Sequence, residues 1–595
     1  MLLSLHFYDI NADPSILKST EDIHDEAWWA ENARQKILND RWTSDGVAGA
    51  LAAGPFTVVW YYLVFSTLGI SFFTLRLISL IPFSLLIFVL LYRYLFKSKE
   101  SHVKSSLRNT LLMLLYLPLL FDWTRLGHPE MLMSCLGLAS FVVGRKDGKY
   151  NMIFSGIIAA LALFVKGSFV YHFLAIGIVL MGTDYRLFFR RGMQFGAGAA
   201  IVALPMWFAY YLPNADFFAT YQNLFAGEYY TWQQLLHPAG IVFRLIHIAE
   251  KPFINDPVSS ILIAVLALRL LSGKSSHDTC SFTALLFVSF LLVLGSDFSP
   301  RRLVFSMLLL PFALTEKQVD SPSSWWKNGI VYSVLALQLM PYCWPKAWIS
   351  WKITHVGIDY SNLLWLAVVA QTVFTMGFAY VISRFKDKSK FNFFLSLLPV
   401  MAWWFVIQQH TWQRINCGLL NETEVLTLLV AGALCLWLCF IIPSRQAVAI
   451  MLLCCLWLGI VFPMRSHGVE AAAQFLAKEG KRNDYAIGYG LPYTITFLSS
   501  ISPVFHPDSE KKLPVRWCIG VSSPEFRYRS NEADQNRFFP GEAVKSHSFS
   551  LYNKREKAWI LERTFNLDGS YQSYSHRFEL KKGCFLRRHP FIVNN

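Results

Sequence analysis

The chain has 595 residues, of which 54% are hydrophobic and only 16% are charged, and its mean hydropathy is +0.37. Soluble globular proteins carry about 25% charged residues, so this composition excludes a soluble fold and predicts a polytopic α-helical membrane protein. A net charge of +15 would suggest nucleic-acid binding in a soluble chain. Here we interpret it as positive charge in cytoplasmic loops and a basic tail, and we expect no nucleic-acid partner.

The first 74 residues form a mostly polar segment before the first clear apolar run. We expect this segment, 1–74, to be an extracytoplasmic loop. Met1 to Phe7 is too short to span a bilayer and carry the segment across. The sequence therefore predicts either that an upstream helix is missing from the chain or that the chain inserts with its N-terminus outside.

An acidic motif lies within this loop, where Asp25 and Glu26 precede Trp28 and Trp29 at the predicted start of an amphipathic helix. Adjacent carboxylates at a helix N-terminus stay ionised, because the helix dipole and free N–H groups favour negative charge, and they can act as bases. Alternatively, Asp25 caps a surface helix that the tryptophans anchor at the lipid interface. The pattern alone leaves both interpretations open.

Apolar runs and basic connections together predict about fourteen spans within a transmembrane domain at 75–464. Connections rich in Lys and Arg are expected on the cytoplasmic side, and these are 93–108, 145–149, 186–191, 269–274, 317–327 and 384–390. The predicted spans are 75–97, 109–121, 131–144, 151–166, 168–183, 193–211, 257–272, 281–295, 303–315, 329–345, 362–383, 391–410, 424–442 and 447–464.

The second predicted outer loop contains His128, Pro129 and Glu130 between two closely spaced helices. A loop this short holds its side chains at the membrane surface, so Glu130 and His128 are candidates to share a site with Asp25. Alternatively, Pro129 starts the next helix and Glu130 merely favours its first turn.

Three cations are predicted on the outer side, against the usual bias. Lys166 follows an apolar helix, and Arg301 and Arg302 lie in the loop at 296–302. Because positive charge is normally retained inside, these residues need another explanation. Binding of a phosphate group is one, since Arg binds phosphate oxygens through its planar fork and Lys binds them as a point charge. For Lys166 the alternative is that its ammonium extends to the lipid headgroups.

Residues 465–595 are predicted to form a small extracytoplasmic α/β domain, beginning with an amphipathic helix over Gly468 to Lys481 and a strand at Tyr485–Gly488. Cys518 and Cys584 fall in this region and are candidates for a disulfide in an oxidising compartment. The cysteines show no zinc-site spacing, so the sequence gives no indication of a metal or other cofactor, although it leaves a divalent metal possible.

The order and shared sidedness of these motifs resemble those of GT-C superfamily glycosyltransferases that use a polyprenyl-phosphate sugar. The similar groups are the family 39-like and aminoarabinose-transferase-like enzymes, and the resemblance covers about 9–315. The motifs are Asn-Ala-Asp-Pro at 11–14, Asp-Glu-Ala-Trp-Trp at 25–29 with Asn-Ala-Arg at 32–34, Leu-Arg-Leu-Ile-Ser at 75–79, His-Pro-Glu at 128–130, Val-Lys-Gly at 165–167 and Pro-Arg-Arg at 300–302.

The resemblance implies catalytic roles for Asp25, Glu26 and Glu130, with Asp25 as the general base. It also implies donor binding by Lys166, Arg301 and Arg302, and His128 and Trp28 are further candidates for substrate binding. The implied partners are a polyprenyl-phosphate-linked sugar, a glycan, glycolipid or protein acceptor, and membrane lipids. The implied location is the inner membrane of a bacterium, with the active site and the C-terminal domain facing the periplasm.

The chain departs from aminoarabinose transferases at one motif. Those enzymes have an acidic residue, Lys and Pro at the end of the first loop, where this chain has Ala53-Gly-Pro55. Two other functions remain open, a secondary transporter and a non-catalytic protein of envelope glycan assembly. A transporter requires ionisable groups near the bilayer midplane. The predicted spans are almost free of such groups, which favours the enzyme.

Overall fold

A computed structural model gives the three-dimensional structure of the chain. It describes residues 4–7, 10, 20–42, 54–97, 101–146, 148–182, 185–215, 263, 266, 281–293, 300–315, 369, 373, 376–377, 468–481, 484–488, 492–504, 515–522, 548–555, 558–566, 571–573 and 577–578. Six of the predicted spans lie outside the described residues apart from isolated positions, namely 257–272, 329–345, 362–383, 391–410, 424–442 and 447–464. Cys584 also lies outside them, and the Cys518 side chain is not described, so their pairing stays a prediction.

Most of the described residues between 4 and 315 are helical. The helices are α1 (Ser4–Phe7), α2 (Thr20–Asn39), α3 (Pro55–Leu68), α4 (Phe72–Tyr92, continued by a π-helical turn at Arg93–Lys97), α5 (Ser101–Tyr116), α6 (Pro118–Thr124), α7 (Glu130–Gly144), α8 (Asn151–Val165), α9 (Val170–Met181), α10 (Tyr185–Met206, continued by a π-helical turn at Trp207–Tyr211), α11 (Phe282–Val293) and α12 (Val304–Thr315).

Most apolar runs of this region fold into helices close to the predicted positions. Among the described residues, two helical stretches, Phe72–Phe96 and Leu187–Asn214, are long and apolar enough to cross a bilayer, and several helices of 10–17 residues are also apolar. The boundaries of α7 and α8 lie within one residue of the prediction.

Two expectations about this region were wrong. The predicted span 109–121 is divided between α5 and α6. Pro118 begins α6 and has no backbone N–H to continue the hydrogen bonding of α5. The first clear apolar run was expected to begin after residue 74, yet the apolar helix α3 lies before it, with Pro55 at its first position.

The N-terminal helix α1 is attached beside the second predicted outer loop. The ring nitrogens of His6 lie 2.7 Å from Thr124 Oγ1 and 3.1 Å from the Leu115 carbonyl oxygen, and Arg125 donates to the His6 carbonyl. Burial lowers the pKa of His6 to about 3, so the ring is neutral at pH 7.

Helices α8 and α10 approach closely at two glycines. A Cβ added to Gly156 would lie 2.0 Å from the Phe195 carbonyl oxygen, and one added to Gly198 would lie 2.0 Å from the Ile153 carbonyl oxygen. Small residues at such crossings let helix backbones pack together in a membrane, where the hydrophobic effect contributes little.

We therefore expect Gly198→Ala to lower the thermal unfolding temperature of the detergent-purified protein. Overpacking of a tight contact costs about 1–3 kcal/mol. Gly196→Ala is the matched control, since it lies two residues away on α10 and an added Cβ there meets nothing within 4 Å. Equal unfolding temperatures for the two variants would contradict the close approach of α8 and α10.

The C-terminal region combines two helices, α13 (Gly468–Glu479) and α14 (Pro492–Thr496), with one sheet, so the predicted first helix and first strand are both present. The strand order is β2-β1-β3-β4-β5-β6, and β7 also pairs with β5. Strands β2, β1 and β3 run parallel, and the others are antiparallel to their neighbours. The strands are β1 (Tyr485–Gly488), β2 (Ser502–Val504), β3 (Val515–Ser522), β4 (Ser548–Arg555), β5 (Ala558–Asn566), β6 (Tyr571–Ser573) and β7 (Arg577–Phe578).

This C-terminal unit packs against α2, α3 and α4 through a shared apolar core. Ala30 and Ala33 of α2, together with Phe65 of α3, belong to the same buried cluster as Phe497 and Trp517 of the C-terminal unit. Two ring contacts join the regions directly, because Phe497 lies 5.8 Å from Phe65 and 5.5 Å from Phe72 between ring centroids. The unit is therefore packed onto the helices that lead into the candidate site.

Candidate active site

The candidate site lies where several helix ends meet. The N-terminal part of α4, the start of α7, the end of α8 and the start of α12 come together beside α2. In the predicted topology all of these ends lie on one side of the membrane. The fold brings Glu26, Glu130 and Lys166 to this region, although they lie far apart along the chain.

Glu26 is a buried connecting group in the site, with 0% of its surface exposed. Its Oε1 lies 2.9 Å from Arg76 Nε and accepts a hydrogen bond of 2.8 Å from the backbone N–H of Gly127. Arg76 in turn donates to the Ile10 carbonyl. One carboxylate thus connects α2, α4 and the second loop, and its charge is neutralised by an adjacent guanidinium.

The expected helix start at the acidic motif was wrong. Helix α2 begins at Thr20, so Asp25 and Glu26 lie in its second turn, where the free N–H groups of a helix N-terminus are no longer available. Glu26 is instead paired with Arg76. The same helix start excludes Asp25 as the N-cap, and nothing is described of the Asp25 side chain, so its proposed role as base stays a prediction.

A second buried ion pair joins α7 to the end of α8. The Lys166 ammonium pairs with Glu130 Oε1, and His128 Nδ1 lies 3.5 Å from Glu130 Oε2. Only 7% of Lys166 is exposed, so the alternative, that its ammonium extends to the lipid headgroups, was wrong. Glu130 begins α7 directly after Pro129. It therefore occupies the first turn of the helix, as the structural alternative predicted, and also belongs to the site.

Aromatic side chains cover the Lys166 ammonium. It lies 4.0 Å from the centroid of the Trp29 ring, a cation–π distance, and the Trp28 and Trp29 rings are 5.0 Å apart. Trp29 is buried, which contradicts its proposed role as a lipid-interface anchor, whereas Trp28 is half-buried. The two indole rings thus form an aromatic surface beside the charged groups.

The two arginines of the late loop lie in a short 3₁₀ turn, Pro300–Leu303, just before α12. Both are half-buried. Arg301 is close enough for its positive charge to act on the Glu130 carboxylate. The backbone carbonyl of Arg302 lies 3.0 Å from His172 Nε2, and this contact ties the turn to α9.

Sequence reasoning missed two groups that shape the site. Arg76 was noticed only as part of a motif, although a charged residue within an apolar helix is itself a signal of function. Tyr61 of α3 donates a hydrogen bond of 2.5 Å to the Gly127 carbonyl, and nothing in the sequence marks it.

The divergent motif at the end of the first loop also reaches this region. The Gly54 backbone N–H donates to the Val165 carbonyl at 3.1 Å, directly before Lys166. A Cβ on Gly54 would lie 1.7 Å from the Phe164 carbonyl oxygen, so only glycine fits there without a backbone shift. The departure from the acidic-Lys-Pro pattern thus accompanies close packing against the segment that carries Lys166.

Within the described ranges, no group of three or more His, Cys, Asp and Glu side chains could hold a metal ion.

Comparison with known proteins gives two similar solved structures. The crystal structure of ArnT from Cupriavidus metallidurans in the apo state is 15% identical, with a TM-score of 0.47, over 88% of this chain and 92% of that chain. The crystal structure of the same ArnT bound to undecaprenyl phosphate is 13% identical, with a TM-score of 0.48, over 89% and 93%. No protein-family model and no curated protein matches the chain.

Proposed function

We propose that this protein is an integral-membrane glycosyltransferase that transfers a sugar from a polyprenyl-phosphate donor to an acceptor on the outer side of a bacterial inner membrane. The observation that carries the proposal is the meeting of Glu26, Glu130, Lys166 and Arg301 at one end of the helices. A lipid-linked phosphate would lie at that depth, at the boundary between the apolar helices and water.

The chemistry required is modest, because the donor is already activated. A base takes the proton of an acceptor hydroxyl, the oxygen attacks the anomeric carbon, and the bond to the phosphate breaks with its electrons going to the departing phosphate. Asp25 is the proposed base. Positive groups stabilise the phosphate as its charge grows, and inversion at the anomeric carbon needs a single base.

Distinct roles for the other acids follow from their contacts. Because Glu26 Oε1 is engaged by both Arg76 and Gly127, we assign Glu26 to holding the second loop against α2. Glu130 orients the Lys166 ammonium. We propose that the Lys166 ammonium stabilises the donor phosphate as a point charge. Arg301 adds positive charge beside this pair.

The finer topology belongs to the same proposal. We propose about fourteen spans within 75–464, an outer first segment at 1–74 and an outer C-terminal domain at 465–595. The acceptor is a glycan, glycolipid or protein of the envelope, and His128 and Trp28 are proposed to contact one of the two substrates.

The distribution of charge within the apolar helices supports an enzyme over a transporter. Asp, Glu, Lys and Arg do not occur in α3, α8, α9, α11 or α12, and the one His in these helices, His172, lies at the third position of α9. In α4 the one charged residue is Arg76, at the fifth position, and in α7 it is Glu130, at the first. A transporter would need such groups nearer the middle of the helices.

Mass spectrometry of envelope glycolipids and glycans, from cells with and without the protein, tests the proposal. We expect one sugar modification to disappear without the protein, while the polyprenyl-phosphate form of that sugar accumulates. Unchanged sugar modifications and donor levels, in cells that make the protein in quantity, would favour the transporter or the assembly protein.

Reporter fusions test the proposed sidedness. A reporter after Asn595 is expected to give an extracytoplasmic signal, and one at Lys388 a cytoplasmic signal, because the basic connections are retained inside. Alkaline phosphatase and a fluorescent protein that matures only in the cytoplasm provide complementary measurements. A cytoplasmic signal at Asn595 would move the C-terminal domain to the wrong side for this function.

A further inference from the structure

A second buried arginine, Arg34, joins α2 to the C-terminal unit. Its side chain is 0% exposed. Nε donates at 2.9 Å to one backbone carbonyl, and the two N–H groups of Nη2 are shared among three more at 2.5–2.9 Å. These carbonyls belong to Thr496, Phe497, Ser499 and Ile501, which lie more than 460 residues further along the chain.

The charge of Arg34 is balanced on its own helix. Nη1 donates to both carboxylate oxygens of Glu31, at 2.9 and 2.7 Å. Gln35 donates to Glu31 at 2.6 Å and to the Ser502 hydroxyl at 3.2 Å. All three side chains are buried, so the loss of any one leaves polar groups without partners inside the protein.

These contacts bear on the candidate site because α2 also carries the acidic motif. Arg34 lies eight residues after Glu26, about 12 Å along the helix axis. Glu26 fixes one part of α2 to Arg76 and the second loop, and Arg34 fixes the next two turns to the C-terminal unit. The helix is therefore held at two points, which sets both its position along its axis and its rotation.

We infer that Arg34 is a positioning residue and that the C-terminal unit holds the acidic helix in place for catalysis. The inference rests on the proposed glycosyl transfer. In this view the C-terminal unit is part of the scaffold of the active site. Displacement of α2 would move Asp25 relative to the acceptor hydroxyl, and a misplacement of about 1 Å can cost about a hundredfold in rate.

The experiment compares Arg34→Ala, Arg34→Lys and a matched control in the full-length protein in lipid nanodiscs. The control is Lys36→Ala, because Lys36 lies on the same helix and pairs with the exposed Asp40. Hydrogen exchange measures the protection of 492–504 and of α2. Steady-state kinetics use the polyprenyl-phosphate sugar that the mass-spectrometric comparison identifies.

In Arg34→Ala we expect faster exchange in both segments and a turnover number lowered by about ten- to a hundredfold. The Michaelis constant for the donor is expected to change much less, because Arg34 does not touch the proposed phosphate site. Arg34→Lys is expected to recover part of the exchange protection and part of the turnover. Its ammonium keeps the charge but cannot reach four carbonyls as the planar guanidinium does. Lys36→Ala should match wild type.

Should Arg34→Ala not fold, Gln35→Ala offers a milder loosening of the same contact, and the same ordering of effects is expected. Faster exchange at 492–504 with unchanged turnover, in an active protein, would reduce Arg34 to a structural role. Unchanged exchange in α2 would contradict the coupling itself. A wild-type protein that transfers no sugar would contradict the proposed function and leave the exchange result standing.

Discussion

Asp25→Asn is expected to lower turnover by about a hundred- to ten-thousandfold, the usual contribution of a general base. The amide keeps the size of the carboxylate and much of its hydrogen bonding but has no affinity for the acceptor proton. We expect the protein to reach the membrane in normal amount, because the substitution hardly changes the size of the side chain. Turnover is measured with purified protein and saturating donor.

Asp40→Asn is the matched control for this substitution. Asp40 follows α2, and its side chain is 87% exposed in its pair with Lys36. Its φ is +55°, a conformation that Asn tolerates, so activity should be unchanged. Full activity of Asp25→Asn would transfer the role of base to Glu26 or Glu130. Full activity after replacement of each of the three acids by its amide would favour a transporter or an assembly protein.

Much of the helical region could be predicted from the sequence, because a long apolar run defines a helix locally. The limits of α7 and α8 follow from the ends of such runs, and the amphipathic pattern of α13 was equally clear. The start of α2 could not be located in this way. Residues 20–24 are mostly polar, and they are helical although no apolar run marks them.

Pairings between distant charges were beyond sequence reasoning. A single chain shows that Glu26 and Arg76 are charged residues in unusual places, yet it does not show which opposite charge each will meet. The contact of Arg34 with Thr496 is an extreme case, because its acceptors are backbone carbonyls and have no signature in the side chains. The sequence marked Lys166 as unusual because a positive charge was predicted on the outer side of the membrane. Its pairing with Glu130 became visible only in the structure.

This pairing changes what a substitution of Lys166 can show. Lys166→Ala removes a proposed phosphate contact, but it also leaves the buried Glu130 carboxylate without its ion-pair partner. An isolated buried carboxylate is costly, so lost activity in this variant alone does not identify the cause. The two effects are separated by a double-mutant cycle with Glu130→Gln.

With donor at saturation, Lys166→Ala is expected to lower turnover by about a hundred- to a thousandfold, as for other contacts that strengthen with charge in the transition state. If Lys166 binds the phosphate, adding Glu130→Gln will not restore turnover. If Lys166 only neutralises Glu130, the double variant will recover most of it. Lys149→Ala, at an exposed lysine before α8, is the control and should match wild type.

Substitutions of Arg301 test the binding of the donor phosphate independently of Lys166. Arg301→Ala is expected to reduce turnover at saturating donor, and Arg301→Lys should recover only part of it, because the ammonium keeps the charge but loses the planar fork that binds two phosphate oxygens at once. A contact that is equally strong before and during bond breaking would instead raise the Michaelis constant and leave turnover unchanged. Wild-type kinetics in Arg301→Ala, together with full recovery in the Lys166 and Glu130 double variant, would remove both cations from the donor site.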